Sequence, residues 1–439
     1  MSFKSSYLRK KFWIQDFLNG SPIRTHYREI RNAFENNKGC ADLRQARLAE
    51  LLKHAVDKSA FYKNCDPSNL QSFPVVNKIT LQQNHDSNLI PEDQNPYMDK
   101  GAKYHIQKTS GSTGTPFAIE FDTRKRARRL AELKYFGEVV GFKSHDMLVH
   151  LRIWTQWQSK TKAQISSENI MPFDISNLNG HNLSQLCNTI NDCKAKCLRG
   201  YASSFDMLAQ YARDHKVKMP SLKIIIAGSE TLYETTRELV HQHLHCDIIS
   251  QYANEENGIL AQESVGGVEQ KFHLNSGSYI FEVLKMDSDQ PAAYGELGRI
   301  VITDLFNYAF PVIRYDNGDN GVMEKDPQTG VEYISQLFGR KLDLVFNTQG
   351  EPVFPMVLAR ILKNYNEYIY QWQFTQKGEK EYLLKLITHG EINAATETEI
   401  SSQLQNAFGQ DADIKIEYLE EIPVLKSGKR KSVANEWVK

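Results

Sequence analysis

Cysteine is scarce in this chain: Cys40, Cys65, Cys187, Cys193, Cys197 and Cys246 are scattered over 439 residues, too thinly for a disulfide framework. None forms a paired Cys-x-x-Cys knuckle. An excess of charge of one sign is also missing, since Lys and Arg total 53 and Asp and Glu total 53, so no global field draws in nucleic acid or an anionic bilayer. No run of about 18 apolar residues is present to span a membrane. The opening residues, Met-Ser-Phe-Lys-Ser-Ser-Tyr-Leu-Arg-Lys-Lys, lack the long apolar core and small-residue cleavage site of a secretory leader. These absences predict a soluble, cytoplasmic protein with reduced thiols, no nucleic-acid partner and no membrane insertion. Its function must therefore come from a local site.

At 439 residues the chain exceeds what one hydrophobic core organises, so two or more domains are expected. Residues 1 to 100 are polar and helix-prone, with Leu43, Ala46, Leu48, Leu51, Leu52 and Ala55 at helical spacing. Arg124 to Val140 reads as a helix whose run of Arg and Lys is expected to be a solvated face. From 145 to 250, apolar strand-like runs alternate with helical stretches, the rhythm of a parallel sheet with crossover helices. Residues 270 to 345 change to short strands and turns, and from 346 a smaller α+β unit begins. The expected architecture is α/β: a large N-terminal domain, 1–342, with parallel βα layers and a small β subdomain, followed by a small α+β lid, 343–439.

Thr109 to Pro116, Thr-Ser-Gly-Ser-Thr-Gly-Thr-Pro, concentrates the chemistry. His105 to Gln107 and Phe117 to Phe121 alternate as strands on either side, so the segment reads as a hairpin loop. No lysine follows its second glycine, which excludes the usual Walker loop. Gly111 and Gly114 let the backbone approach a ligand, Thr109, Ser110, Ser112, Thr113 and Thr115 supply hydroxyls, and successive amides of such a turn form an anion nest. An ordinary polar hairpin has the same composition, so the decision falls to other segments.

Five of these follow in the chain: Leu222 to Glu230, ending Ala-Gly-Ser-Glu; Gln251 to Glu256, Gln-Tyr-Ala-Asn-Glu-Glu; Arg314 to Asp319, Arg-Tyr-Asp-Asn-Gly-Asp; Gly339 to Asp343, Gly-Arg-Lys-Leu-Asp; and Leu425 to Arg430, Leu-Lys-Ser-Gly-Lys-Arg. In this order, and together with the loop, they resemble the adenylate-forming superfamily, in its phenylacetate-CoA ligase and capsule-biosynthesis branch, over residues 100 to 430. The resemblance implies that Thr109, Ser110, Gly111, Ser112, Thr113 and Gly114 hold the phosphates of ATP. It puts Ser229, Glu230, Gln251 and Tyr252 against adenine, Asp319 on the ribose hydroxyls, and Arg340 near ribose or phosphate. Glu256 would bind magnesium, although Glu255 stands where the family has a hydroxyl residue and competes for that role. Ala253 replaces a glycine, Asn317 replaces a threonine, and Leu342 replaces one of two hinge aspartates, leaving Asp343 as the hinge. Lys429 matches the adenylation lysine.

What the resemblance implies is a ligase using ATP, magnesium and coenzyme A on a small carboxylic acid. An acyl-adenylate forms first, and the lid then rotates so that the thiol can attack. Two other readings share part of this machinery: an adenylating acyltransferase that delivers the acyl group to a carrier protein or a sugar amine in capsule assembly, and a nucleotide-binding protein without catalysis. The family admits a homodimer. Trp154, Trp157, Tyr201 and Phe205 are candidates for the acid pocket, with plain core packing as the alternative. No zinc is expected, because Ser264 stands where some relatives have a cysteine. His241, His243 and His245 read as compensation of a helix dipole.

Overall fold

The computed structural model describes residues 3–35, 37–99, 101–108, 117–154, 160–266, 271–340, 345–353, 355–423 and 430–437. An N-terminal helical layer is built from α1 (Phe3–Leu18), α2 (Pro22–Glu35), α3 (Asn37–Lys58) and the short α4 (Lys78–Gln83) and α5 (His85–Asn88). The helical spacing read from the sequence turns Leu48, Leu51, Leu52 and Ala55 of α3 inward, against Tyr62, Phe73, Phe306 and Tyr308. Leu43 stays exposed. The hairpin is present as β1 (His105–Lys108) and β2 (Ala118–Phe121), antiparallel with Lys108 opposite Ala118. The loop between them, 109–116, lies outside the described residues.

Next comes α6 (Thr123–Val139), capped by the Asp122 carboxylate, which accepts from the Lys125 backbone N–H. Its charge run is not a solvated face. Lys125, Arg128 and Glu132 are fully buried because α6 is wedged between α2 and the main sheet. Lys125 pairs with Asp304, which is equally buried. Arg128 reaches Glu29 at 3.0 Å, Ser278 Oγ at 2.9 Å and the Gly277 carbonyl at 2.7 Å. Amphipathic counting missed this, because the apolar partner of a helix and an ion-pair partner elsewhere in the chain demand the same inward face.

The alternation over 145–250 becomes β3 (Leu148–Arg152), α7 (Lys162–Glu168), β4 (Ile170–Asp174), α8 (Gly180–Asp192), β5 (Cys197–Tyr201), α9 (Ala202–His215), β6 (Ile224–Gly228), α10 (Glu234–Leu244) and β7 (Asp247–Asn254). These five strands are parallel, in the order β4-β3-β5-β6-β7. Their near-continuous apolar runs follow from burial on both faces. Val149, Leu151, Leu198, Ile225 and Ala227 meet Leu186, Phe205, Leu208 and Val240 of the helices, while Leu148, Cys197, Ile224, Ile226 and Ile249 face Val140 on the other side. The small β region joins this sheet edge-on. Six antiparallel strands, β8 (Gly258–Glu263), β9 (Phe272–Leu274), β10 (Tyr279–Leu284), β11 (Leu297–Asp304), β12 (Tyr315–Lys325) and β13 (Glu332–Arg340), extend it to eleven.

Residues 345 onward build a separate core. The short pair β14 (Val345–Phe346) and β15 (Pro352–Val353) leads into α11 (Pro355–Lys363), β16 (Ile369–Gln376), β17 (Glu381–Thr388), α12 (Ala394–Phe408), β18 (Asp413–Tyr418) and β19 (Val433–Asn435). The last four strands form their own sheet, β18-β17-β16-β19. Phe374, Tyr382, Leu384, Ile400, Leu404 and Phe408 fill the space between it and the helices. Among the described residues no helix is long and apolar enough to cross a membrane.

Candidate functional site

The carboxyl ends of a parallel sheet are where α/β proteins hold ligands, because the strand-to-helix turns there leave backbone donors and side chains unengaged by the ladder. Here the ends align in register: Arg152 lies opposite Asp174, Tyr201 opposite Gly228, and Gly228 opposite Gln251. At the end of β6, Ser229 takes a left-handed conformation with φ of 66°. Such a conformation is uncommon for a residue other than glycine and turns the chain sharply out of the strand. Glu230 follows and bridges two elements. One carboxylate oxygen accepts from the Ser203 N–H at the start of α9 at 2.9 Å, and the other accepts from the Arg430 N–H at 2.6 Å.

Beyond the end of β7 the acidic segment meets two others. Tyr252, buried, donates its hydroxyl to Asp319 Oδ2 at 2.9 Å and receives a hydrogen bond from the Asn317 side-chain amide. Burial pushes the Tyr252 phenol well above its ordinary value, with the nearby Asp319 charge adding to the effect, so the phenol remains a donor. Tyr315 donates to Glu256 Oε1 at 3.3 Å. Asp319 is the register partner of Arg340 on β13. Segments far apart in the sequence are therefore brought to one place. From Tyr315 the Arg-Tyr-Asp-Asn-Gly-Asp segment is part of β12, with register shifts against both neighbouring strands between Asp316 and Asn320 and Gly318 at φ of 85° making the kink.

The two adjacent glutamates differ in surroundings. Glu255 is held by Gln107, whose amide donates at 2.8 Å, and lies 3.7 Å from Arg129 and 4.0 Å from Arg152. Glu256 has no cation at ion-pair distance among the described residues. Burial raises its carboxyl above the ordinary value and the Glu255 charge adds to that, while the Tyr315 hydrogen bond and the charge of Lys78 oppose it. A hard cation that takes most of its oxygens from phosphates and water needs only one or two protein carboxylates, and Glu256 beside Glu255 fits that demand. No group of three or more His, Cys, Asp or Glu among the described residues is arranged to hold a metal by itself.

Among the other residues singled out from the sequence, Gln251 is buried with its side-chain amide bonded to Gln262, and Phe205 is fully buried core between helix and sheet. Tyr201 and Trp154 are partly exposed at the strand ends. Residues 109–116, expected to hold phosphate, Trp157, the expected hinge Asp343 and Lys429 lie outside the described residues. Gln107, Lys78, Arg129 and Arg152 were not found from the sequence. Gln107 carried the one available signal, two residues before the loop and on the face of a strand that feeds it.

Comparison with known proteins adds an independent line. Residues 345–436 match the family model of the CapK C-terminal domain. The chain is 20% identical to Protein CapK of Staphylococcus aureus across 95% of this chain and 94% of that protein. It is also 22% identical to phenylacetate-coenzyme A ligase of Thermus thermophilus across 77% of this chain and 78% of that one. Among solved structures, 2-hydroxyisobutyryl-CoA ligase in its postadenylation state, in complex with R3-HIB-AMP, matches with a TM-score of 0.71 at 18% identity, over 90% of this chain and 89% of that chain. The same enzyme with 2-HIB-AMP and CoA in its thioesterification state matches with a TM-score of 0.55 at 19% identity, over 90% of each chain.

The chain has the fold of the acyl-CoA ligase it matches. Its sequence is similar, over most of its length, to CapK and to a phenylacetate-CoA ligase of the adenylate-forming superfamily, and residues 345–436 match the CapK C-terminal domain.

Proposed function

We propose that this protein activates a carboxylic acid with ATP to an acyl-adenylate and passes the acyl group to the thiol of coenzyme A. The observation that carries the reading is the convergence of Tyr252, Asp319, Tyr315 and Glu256 at the ends of the sheet. In this reading residues 1–342 are the catalytic lobe, 343–439 the mobile lid, and Asp343 the hinge. Asp319 accepts from the ribose hydroxyls, since a carboxylate can take both donors of a vicinal diol. Ser229, Glu230, Gln251 and Tyr252 flank the base, the hydroxyls and amides of 109–114 hold the phosphates, and Arg340 and Lys429 bring positive charge. Bound magnesium would neutralise charge on the transferring phosphate. Glu256 would hold it, kept in place by the Tyr315 hydroxyl. Charge builds on the α-phosphate oxygens as the substrate carboxylate attacks and pyrophosphate leaves, so donors fixed beforehand lower the barrier.

The lid reading is supported by where residue 430 sits. The Arg430 N–H, one residue beyond Lys429, is bonded to Glu230 of the large lobe. Lys363 reaches Glu238 at 2.6 Å, and the rings of Tyr233 and Trp372 lie 5.7 Å apart. The higher similarity to a relative's postadenylation state than to its thioesterification state agrees with this arrangement. Glu230→Gln removes one of the two acceptor oxygens. It should slow adenylation by roughly ten- to a hundredfold, the worth of one charged hydrogen bond, and slow thiolysis of a supplied acyl-adenylate less, because only the first step needs the docked Arg430 segment. Equal slowing of the two half-reactions would remove Glu230 from lid closure.

Burial keeps the Glu256 carboxyl raised, so it takes up a proton at a higher pH than a surface acid does. Before magnesium binds, that proton competes with the metal for the same carboxylate, so the magnesium concentration that adenylation needs should rise on the acid side. Glu256→Gln should lower the rate by about 10²-fold and flatten that acid-side rise. An unchanged rise in the variant would assign it to another group. The overall reading is tested by pyrophosphate exchange into ATP across a panel of carboxylic acids, followed by addition of coenzyme A. Exchange without thioester formation would point to a different acyl acceptor. No exchange with any acid would leave a nucleotide-binding protein without catalysis.

A further inference from the structure

Three basic side chains on the parallel strands have no part in nucleotide chemistry. His150 on β3 and Arg199 on β5 are register partners, and Arg152 lies two residues beyond His150. Strand alternation puts all three on the face of Leu148 and Cys197, displaced toward the carboxyl ends. Arg152 is shared with Glu255 at 4.0 Å, and its guanidinium lies 5.5 Å from the Trp154 ring centroid. The His150 ring meets the same tryptophan edge-on at 5.4 Å. Lys160 bears on His150 too, but its ammonium is tied to Glu168 at 2.6 Å. Arg199 is different. Its Nε is buried without a hydrogen-bond partner among the described residues, and no carboxylate among them comes within ion-pair distance of it.

Burial pulls Arg199 below the ordinary arginine value. Burial first, and then Arg199, Arg152 and Lys160, hold His150 well below its own. Yet both residues keep part of their surface accessible, so they are not sealed in the core. A buried cation with no counter-charge is costly, and a guanidinium fork in particular matches the planar geometry of carboxylate or phosphate. Tyr201, two residues beyond Arg199, is influenced by Arg152, Glu230 and Glu255 together. Through Arg152, 4.0 Å from Glu255, these side chains adjoin the candidate adenylation residues.

We propose that the acid this protein activates carries a second anionic group, received by Arg199 with His150 and Arg152 beside it, while the reacting carboxylate faces the nucleotide near Glu255 and Glu256. The proposal rests on the adenylation reading for what is done to the acid, but not for its binding. A dicarboxylate and a phosphorylated acid would supply the same chemistry at Arg199.

The test uses the full chain and matched acids: butyrate with succinate, hexanoate with adipate, phenylacetate with 1,4-phenylenediacetate, and glycerate with 3-phosphoglycerate. Each is measured by pyrophosphate exchange and by the shift in melting temperature. At least one dianionic acid should exceed its singly charged twin by about tenfold or more in kcat/KM, because a site built for a polar group rejects the analogue lacking it. Arg199→Met should bring that ratio down toward one, and Arg199→Lys should keep part of it. The 3-phosphoglycerate arm separates phosphate from carboxylate. Without ligand, Arg199→Met should melt at or above the native temperature, since an unpaired buried charge is gone. Native preference for the singly charged twins, or an equal loss on both members of each pair in Arg199→Met, would overturn the proposal. If no acid drives exchange, the adenylation reading fails, and melting shifts still decide this one. Stabilisation by a dianionic acid in the native chain but not in Arg199→Met supports it, and no shift with any dianionic acid refutes it. Should Arg199→Met not fold, Arg199→Lys and the native comparison decide the same question.

Discussion

Lys429→Ala should abolish acyl-adenylate formation, by about 10²–10³-fold in kcat, while thiolysis of a chemically supplied acyl-adenylate proceeds at close to the native rate. The magnitude is that of removing one preorganised donor from a transition state in which charge builds on oxygen. The selectivity comes from geometry. In the proposed reaction the Lys429 ammonium would serve the nucleotide only while the C-terminal domain is docked on the large lobe, and the Arg430 N–H, one residue on, is bonded to Glu230. In the proposed two-step reaction, rotation of the C-terminal domain to admit a thiol would carry the lysine away, and the second step would not need it. The two half-reactions are followed separately, by pyrophosphate exchange and by release of AMP from the acyl-adenylate. Equal loss in both would refute a two-state lid and would place Lys429 in a general structural role.

Lys125→Ala should destabilise the large lobe by about 3–5 kcal/mol, the cost of breaking a buried ion pair from one side. Lys125 and Asp304 are both fully enclosed, and Lys125 Nζ also lies 3.2 Å from the Tyr279 hydroxyl. The same pocket holds Glu132, whose carboxyl burial pushes above its ordinary value while Lys125 and Arg128 oppose the shift. Removing the ammonium leaves two carboxylates with too little positive charge around them. A carboxyl whose folded value is raised destabilises the fold above its unfolded value, and that penalty is relieved as pH falls and the group takes a proton. The variant should therefore recover part of its lost stability in mild acid, in the opposite sense to a protein held by surface ion pairs. Denaturant melts at neutral and mildly acidic pH measure both effects. The double variant Lys125→Met, Asp304→Leu should lose far less than Lys125→Ala, because no unpaired charge remains. A loss below about 1 kcal/mol in Lys125→Ala would mean that water reaches the pair.

Much of the fold was legible because the signals were local. The parallel strands announce themselves as unbroken apolar runs such as Ile224, Ile225, Ile226 and Ala227, and the lid elements at 369–376, 381–388, 394–408 and 413–418 follow alternation or helical period closely. What stayed hidden was non-local. The charges of α6 read as a wet face, since Asp304 and Glu29, which neutralise them, lie on elements far away in the chain. Asn317-Gly318-Asp319 has the composition of a hairpin turn. A bulge in a long strand uses the same residues, and only the pairing partner, β13, distinguishes the two. The motif that contains Glu230 points to adenine, and nothing in that segment announces that the carboxylate bridges α9 and the residue after Lys429.

By itself the order of residues pointed to a class of chemistry: a hydroxyl-rich segment without a Walker lysine, acids after an apolar strand, and a lysine after Ser-Gly near the end, in the order of the adenylate-forming superfamily. Hydroxyls, carboxylates and ammonium groups carry their donor and acceptor character wherever they stand. The tertiary structure decided which of those groups meet. Tyr252 finds Asp319, and Glu255 is drawn toward arginines. Among the described residues, Glu256 stays without a cation at ion-pair distance and Arg199 has no partner for its Nε. Partnership between residues a hundred positions apart depends on sheet register and on which side of a strand faces the crevice, and neither is encoded in any short stretch of the chain.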